Sequence, residues 1–139
     1  MAGLDLAVAR QHIYNHLTAA TALTGLSIVE GLADSETTYP FVQFELLSGV
    51  GQLVNGVGAT YILGRPRYTV KVIAQDTPFS ALDGYVSAIY AALHNTSGTV
   101  SSGQALGSLC WTPIAYSEAG DGGVMYRHYG YEVEVYTRS

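Results

Sequence analysis

The sequence predicts an α+β domain over residues 1–139, in which a mostly antiparallel sheet carries two helices packed on one face. Two segments place apolar residues three or four positions apart, as amphipathic helices do. Several other segments alternate apolar and polar residues, as half-buried strands do. The predicted order is helix, strands, helix, strands, which favours one sheet with two helices and no second domain.

The first helix is predicted over residues 4–22, where one apolar stripe contains Leu6, Ala9, Ile13, Leu17 and Ala20. Asp5 lies in the first turn, where the helix dipole favours an acidic residue. Gly25 lies just past the end and favours termination. Residues 26–31 are predicted to form a short strand, and residues 32–38 a polar loop.

The next strand is predicted from Pro40 to Leu47, with the proline at its start, where a missing N–H does least harm. One face of this strand carries Val42, Phe44 and Leu46, and the other carries Phe41, Gln43 and Glu45. Residues 59–75 are predicted as one long strand with a break near Gly64-Arg65-Pro66. The second half of that strand places on one face Tyr68, Val70, Val72 and Ala74.

The second helix is predicted to have Thr77 as its N-cap and Pro78 at its first helical position. Its buried stripe contains Leu82, Val86, Ile89 and Leu93. His94 lies in the predicted last turn, and Gly98 ends the pattern. Residues 99–108 are predicted as a loop of small residues, in which a short edge strand stays open as an alternative.

The last two strands are predicted at residues 108–119 and 124–138, joined by a hairpin turn at Asp121-Gly122-Gly123. One face of the final strand carries Tyr129, Tyr131, Val133 and Val135. The other face carries His128, Glu132, Glu134 and Tyr136. Alternating glutamates are typical of the solvated side of a sheet, which we therefore expect here.

The composition contains few charged residues for a soluble domain. Charged residues make up 12% of the chain, about half of the ~25% that is usual. The chain has 11 tyrosines, and five of its six basic residues are arginine, with Lys71 as the remaining one. Tyrosine and arginine are enriched in contacts between subunits. The composition thus favours a surface covered by other chains, with a well-packed small monomer as the alternative.

Charge and cysteine content exclude several classes of protein. The formal net charge of −5 argues against nucleic-acid binding, which needs clustered Lys and Arg to neutralise phosphates. A single cysteine, Cys110, excludes an internal disulfide and a zinc site of several cysteines. The first residues lack a basic region followed by an apolar run, and we therefore expect no signal peptide. No apolar run is long enough for a membrane span.

His12 and His16 are four residues apart on the predicted helix, which is a metal-ligand spacing. No glutamate follows the first histidine to act as a base, and no third ligand is fixed by the spacing. We therefore expect a structural or solvated pair. A metal-dependent hydrolase that uses this pair, with Glu30 or His94, is the alternative from a different class. A small-ligand binding module would require a pocket, which periodicity does not reveal. We expect neither catalysis nor a cofactor.

A glycine-rich segment separates two predicted strands and consists of Gly49, Val50, Gly51, Gln52, Leu53, Val54, Asn55, Gly56, Val57 and Gly58. It does not fit a phosphate-binding loop, because valine stands at a position that requires glycine and no helix pattern follows. Arg65, Arg67 and Arg127 lie near strand starts. They provide either surface charge or pairing across subunits with acids such as Glu45, Glu118 or Asp121.

Several of these pieces, in this order, resemble the tail terminator (tail completion) family of tailed bacteriophages. The N-terminal helix leads to a polar loop and then to "YPFVQF". The strand "RYTVKVIAQD" is followed by the helix "SALDGYVSAIYAAL". The chain ends with an acidic turn and an alternating strand, "SEAGDGGVMYRHYGYEVEV". The resemblance covers nearly the whole chain, but the glycine-rich segment does not match the family pattern.

The resemblance implies a structural virion protein whose subunits form a ring, usually of six. Such a ring caps the tail tube at the head-proximal end, stops tube polymerisation and joins the tail to the head connector. DNA passes through the hole without specific binding, and the acidic chain is suited to that passage. The particle is assembled in the host bacterial cytoplasm and involves no membrane. Another ring subunit of the phage neck or tail tube is the nearest alternative.

The glycine-rich segment is predicted to be an assembly arm that is disordered in the free subunit and orders on a neighbour or on the tube. Deleting residues 50–57 is then expected to leave the monomer folded and to abolish the stacking of rings on tubes. Electron microscopy of tails made with the deletion variant tests this prediction, and tails of normal form would contradict it.

Overall fold

The computed structural model describes residues 6–32, 37–48, 51–53 and 62–138. Their elements are, in chain order, α1 (Leu6–Ala19), β1 (Ile28–Glu30), β2 (Phe41–Ser48), β3 (Gly51–Leu53), β4 (Ile62–Gly64), β5 (Arg67–Gln75), α2 (Asp83–Leu93), β6 (Gly98–Val100), β7 (Gly103–Ala119) and β8 (Met125–Arg138). Single 3-10 turns lie at Thr21–Leu23, Phe79–Leu82 and Asp121–Gly123. The predicted α+β class is confirmed.

The strands form one sheet in which β1, β2, β5, β8 and β7 are neighbours in that order. All of these pairs are antiparallel except β1 with β2, which is parallel. β4 and β5 both pair with β8, and the Val135 N–H donates to the Pro66 carbonyl between them at 3.0 Å. The prediction of one long strand with a break near Gly64-Arg65-Pro66 is therefore confirmed within the described residues.

Both helices pack on the same face of the sheet, as predicted, and the main core lies between them and the strands. Core contacts confirm most of the predicted inward faces: Val42 and Phe44 on β2, Tyr68 and Val70 on β5, and Val133 and Val135 on β8. Leu46, predicted on the same face as Val42 and Phe44, is exposed instead, because the second half of β2 extends beyond the core. The helical stripes contribute Ala9, Ile13, Leu17, Ile89 and Leu93. We call the opposite side of the sheet the helix-free face.

The predicted start of α2 is wrong by several residues. Thr77 does not cap the helix, because its hydroxyl donates to the Gln75 carbonyl at 2.9 Å. Pro78 has an extended backbone and precedes a 3-10 turn that buries Leu82. The α-helix then begins at Asp83. The negative charge of this residue lies in the first turn, where the helix dipole stabilises it.

Two other boundaries also differ from the sequence prediction. α1 ends at Ala19, not near residue 22, because the chain turns there into a 3-10 turn that buries Leu23. The segment predicted as a loop of small residues contains the short hairpin of β6 and the start of β7. The edge strand left open there is therefore present, and β7 begins five residues before its predicted start at Ser108.

Close packing between β5 and β8 depends on a glycine. Gly130 lies opposite Lys71 in the middle of the sheet. A Cβ atom on Gly130 would lie 2.1 Å from the Val70 carbonyl oxygen and 2.5 Å from the Lys71 Cα. Because backbone atoms occupy that space, no side chain fits at this position, which therefore requires glycine.

Candidate subunit interface

The distal half of β7, Trp111–Ala119, is exposed on both faces: eight of its nine residues are exposed, and Ile114 is half-buried. β8 pairs with one side of this segment, and no strand among the described residues pairs with the other side. Its exposed side chains include Trp111 and Tyr116, and its single charged residue is Glu118. We call this segment the β7 edge. Such an edge is a template for pairing with another chain.

The β7 edge begins at Trp111 because the end of α2 covers the preceding part of the strand. The Asn95 N–H donates to the Ser108 carbonyl at 2.7 Å, and the Cys110 N–H donates to His94 Nδ1 at 3.2 Å. The register shifts between Cys110 and Thr112, so Trp111 has no partner residue on β8. Pro113 follows, and a proline inside a sheet is tolerated on an edge strand.

A groove of about 480 Å³ lies on the helix-free face near the β7 edge. Aromatic rings line it, with the Tyr39 ring centroid 5.3 Å from that of Phe41 and 5.4 Å from that of Tyr126. Two carboxylates, Glu45 and Glu118, also line the groove, and no lysine or arginine among the described residues does. The groove is thus aromatic and acidic.

A polar network connects the groove to the centre of the sheet. The His128 ring stacks on the Tyr116 ring at 4.4 Å, and its Nε2 lies 2.7 Å from Glu118 Oε1. Lys71 Nζ donates to the Tyr116 hydroxyl at 2.8 Å. Burial lowers the pKa of His128 and outweighs the opposing hydrogen bond with Glu118. The imidazole is therefore neutral at pH 7 and donates from Nε2, while its buried Nδ1 has no hydrogen-bond partner among the described residues.

The three predicted arginines have different surroundings. Arg67 Nε and Nη2 donate to Glu134 Oε2 at 3.3 and 3.1 Å. Arg127 Nη1 donates to the Ser117 hydroxyl at 2.8 Å, and its guanidinium lies 5.5 Å from the Phe79 ring centroid. Arg65 is exposed. Pairing of these arginines across subunits stays a prediction.

The expectation that Glu134 is solvated is wrong, because its side chain is only 8% exposed and binds Arg67. Burial alone would raise the pKa of Glu134. Hydrogen bonds from Tyr136 and Arg67, with the charges of Arg67 and Arg65, outweigh burial and hold that pKa below its usual value. Glu134 is therefore ionised at pH 7 and joins β8 to the start of β5.

Only a small part of the glycine-rich segment lies within the described residues. The backbone of Gly51, Gln52 and Leu53 forms β3, which pairs antiparallel with β4. This part is therefore a strand and not the loop expected from its composition. The other predicted interface residues of this segment, Gly49, Val50, Val54, Asn55, Gly56, Val57 and Gly58, lie outside the described residues.

The predicted histidine pair belongs to the core. His12 is fully buried, and its Nε2 lies 3.1 Å from Thr96 Oγ1 and 3.3 Å from Ser108 Oγ. His16 Nδ1 donates to the His12 carbonyl at 2.9 Å. Burial, and next the charge of His16, lower the pKa of His12 to about 4. His12 is thus a neutral core residue that holds the start of β7 against α1.

The residues named for the alternative metal site do not form one group. Glu30 pairs with Arg10 at 3.9 Å, and His94 Nδ1 accepts from the Cys110 N–H. Within the part of the chain that the structure describes, no cluster of three or more His, Cys, Asp or Glu side chains is arranged to hold a metal ion. The described residues therefore offer no assembled metal centre for hydrolysis.

The sequence prediction missed the aromatic residues of the β7 edge and of the groove. Trp111 and Tyr116 lie in a nine-residue segment with a single charge, and this pattern was a usable signal of an exposed apolar edge. Tyr39 and Tyr126 are far apart in the sequence, and only the pairing of β2 and β8 with β5 brings them together. Neither α1 nor α2 combines the length and apolar character of a membrane-spanning helix.

Comparisons with known proteins identify the fold. No family model matches this chain, and no curated protein matches it either. Among solved structures, the chain is similar to a chain from the virion of a native gene transfer agent particle, with a TM-score of 0.68 and 15% sequence identity. The match covers 97% of this chain and 100% of the other. The chain therefore shares the fold of a protein found in that virion.

Proposed function

We propose that this chain is a structural virion protein whose copies form a ring, with six subunits as the resemblance implies. This ring caps the phage tail tube, ends its polymerisation and joins it to the head connector. Two independent likenesses support the proposal: the sequence motifs of the tail terminator family and the fold of a gene transfer agent virion chain. Such a role requires neither catalysis nor a cofactor.

The observation that carries the proposal is the β7 edge. Monomeric proteins protect exposed edge strands with charges, prolines or covering elements. The β7 edge has one charged residue, Glu118, and one proline, Pro113, but it exposes Trp111 by 51% and Tyr116 by 43%. A second copy that covers this edge would bury those rings, which are residue types that dominate the binding energy of interfaces.

A ring also agrees with the charge of the chain. Ring closure uses two different patches on each subunit, and the tube and the head connector would cover two more. Four covered patches would leave little surface exposed to solvent, and only such surface needs charged residues. Charged residues make up 12% of this chain, in agreement with a largely covered surface. The net charge of −5 would keep DNA from adhering to the wall of the hole.

Trp111→Lys tests the role of the β7 edge in assembly. We expect this variant to weaken self-association at least tenfold, because it removes a large apolar contact and introduces a charge. Sedimentation over a range of protein concentrations measures the association, and circular dichroism checks the fold. Tyr14→Lys is the matched control, since Tyr14 on α1 is a similarly exposed aromatic residue at 47%. Equal association of the two variants would contradict the proposed interface.

Electron microscopy of the purified protein separates the terminator from its nearest alternative. Single rings, or monomers that form rings only on tail tubes, support a terminator. Tube subunits stack on themselves, so long polymers would support a tail-tube subunit instead. A monomer at every concentration, which also leaves tube length unchanged in an assembly reaction, would overturn the proposed function.

A further inference from the structure

The groove on the helix-free face combines two features that bind cations. The rings of Tyr39 and Tyr126 supply aromatic faces, which attract a cation through their quadrupoles, and the buried Phe41 packs beside Tyr39. Glu45 and Glu118 supply carboxylates at the same groove. A volume of about 480 Å³ is ample for one long side chain. This chemistry fits a guanidinium group, which is planar, stacks on aromatic rings and bonds to carboxylates.

Five basic side chains of the chain have partners in the structure, and none of the five lines the groove. One of them, Arg138, donates to Gln104 Oε1 at 2.8 Å. Lys71 bonds to Tyr116, Arg67 to Glu134, and Arg10 pairs with Glu30. Arg127 donates to Ser117. None of these residues lines the groove, so its carboxylates have no cation from their own chain there among the described residues.

Arg65 is an exposed cation near the opposite end of the sheet. It lies two residues before Arg67, and its positive charge acts on Glu134. Arg67 is opposite Glu134 at one end of the β5–β8 pairing, whereas Tyr126, in the groove, is opposite Gln75 at the other end. Glu45 lies between these ends, opposite Thr69, so the groove extends from the Tyr126 end past the middle of β5. Donor and acceptor are therefore separate patches on one subunit, as a head-to-tail contact between copies requires.

We propose that the groove binds the Arg65 side chain of a second copy of this chain, with the guanidinium against the aromatic rings and near Glu45 and Glu118. This inference rests on the proposed function, because it names one contact by which neighbouring copies associate. Each copy would present Arg65 to one neighbour and the groove to the other, so the contact repeats around a closed ring.

Charge reversal tests this contact. Arg65→Glu and Glu45→Lys, made separately, are each expected to weaken self-association at least tenfold, because each places like charges together at the contact. Arg10→Glu is the matched control, since it makes the same change of charge at an exposed arginine on α1. Circular dichroism verifies that each variant is folded, and sedimentation measures its association.

Mixing the two variants gives the sharper result. The Arg65→Glu copy keeps an intact groove, and the Glu45→Lys copy keeps an intact Arg65, so one native contact forms between them. At the other contact the introduced glutamate meets the introduced lysine, which are again opposite charges. We therefore expect the mixture to recover the association that neither variant has alone, with the two copies alternating. Carrying both changes on one chain is expected to restore association, because the reversed charges face each other again.

Three outcomes would overturn the inference. If Arg65→Glu associates as strongly as the Arg10→Glu control, this contact does not exist, while the proposed ring is not contradicted. A mixture of the two variants that associates no better than either variant alone would do the same. A wild-type protein that stays monomeric at every concentration and also forms no rings on tail tubes would remove the contact and contradict ring formation.

Discussion

Replacing Gly130 with alanine is expected to lower the free energy of unfolding by about 3 kcal/mol, a value typical of severe overpacking in a core. The new Cβ atom would lie 2.1 Å from the Val70 carbonyl oxygen and 2.5 Å from the Lys71 Cα. Both are backbone atoms of β5, so no side-chain rotation relieves the overlap. The strands would have to separate, which breaks hydrogen bonds in the middle of the sheet. Urea unfolding of the purified variant measures the loss.

Gly107→Ala is the matched control for this substitution. Gly107 lies in β7, and a Cβ atom there would meet nothing within 4 Å. Its effect on stability is therefore expected to stay within about 0.5 kcal/mol, as for substitutions away from packed sites. If Gly130→Ala were as stable as Gly107→Ala, the close approach of β5 and β8 at this position would be wrong.

Acidification from pH 6.5 to pH 4 is expected to remove about 3 kcal/mol of stability through His12. The pKa of His12 falls from 6.5 in the unfolded chain to about 4 in the folded protein, and each unit of such a shift corresponds to about 1.4 kcal/mol. Between these values the unfolded chain binds a proton that the folded protein does not. Stability is therefore full above pH 6.5 and is lost as the pH falls towards 4.

His12→Gln isolates this contribution. Glutamine keeps a hydrogen-bonding side chain near Thr96 and Ser108 but has no proton to gain in this range. The variant is expected to be less stable than the wild type at pH 7 and to lose less stability between pH 6.5 and 4. His128, whose pKa is also lowered, contributes a loss of the same sign in both proteins. Parallel pH profiles of wild type and variant would contradict the assignment to His12.

Much of the fold followed from local patterns, and the differences have identifiable physical causes. Strand faces were predictable because side chains alternate along a strand, as Val42 and Phe44 show. The predicted start of α2 was wrong because the Thr77 hydroxyl donates to the Gln75 carbonyl, and this local hydrogen bond competes with helix capping. The short β6 was left open because its pairing with β7 depends on tertiary context more than on residue type.

The candidate interface was predictable only in part. The small share of charged residues indicated that other chains cover part of the surface. It does not reveal which strand edge is left unpaired after the sheet has formed. The β7 edge is open because α2 ends at Leu93, and His94, which follows it, covers the strand only as far as Cys110. Similarly, His12 has partners 84 and 96 residues away along the chain, so its role in the core follows from tertiary contacts and not from its spacing with His16.

The position of β8 has a consequence for biosynthesis. This strand lies in the interior of the sheet, with β5 on one side and β7 on the other, although it is the last element along the described chain. A nascent polypeptide that has not yet emerged as far as Arg138 lacks the element to which both halves of the sheet attach. The ribosome therefore has to finish this segment before the sheet can close, so unfinished products do not reach this fold.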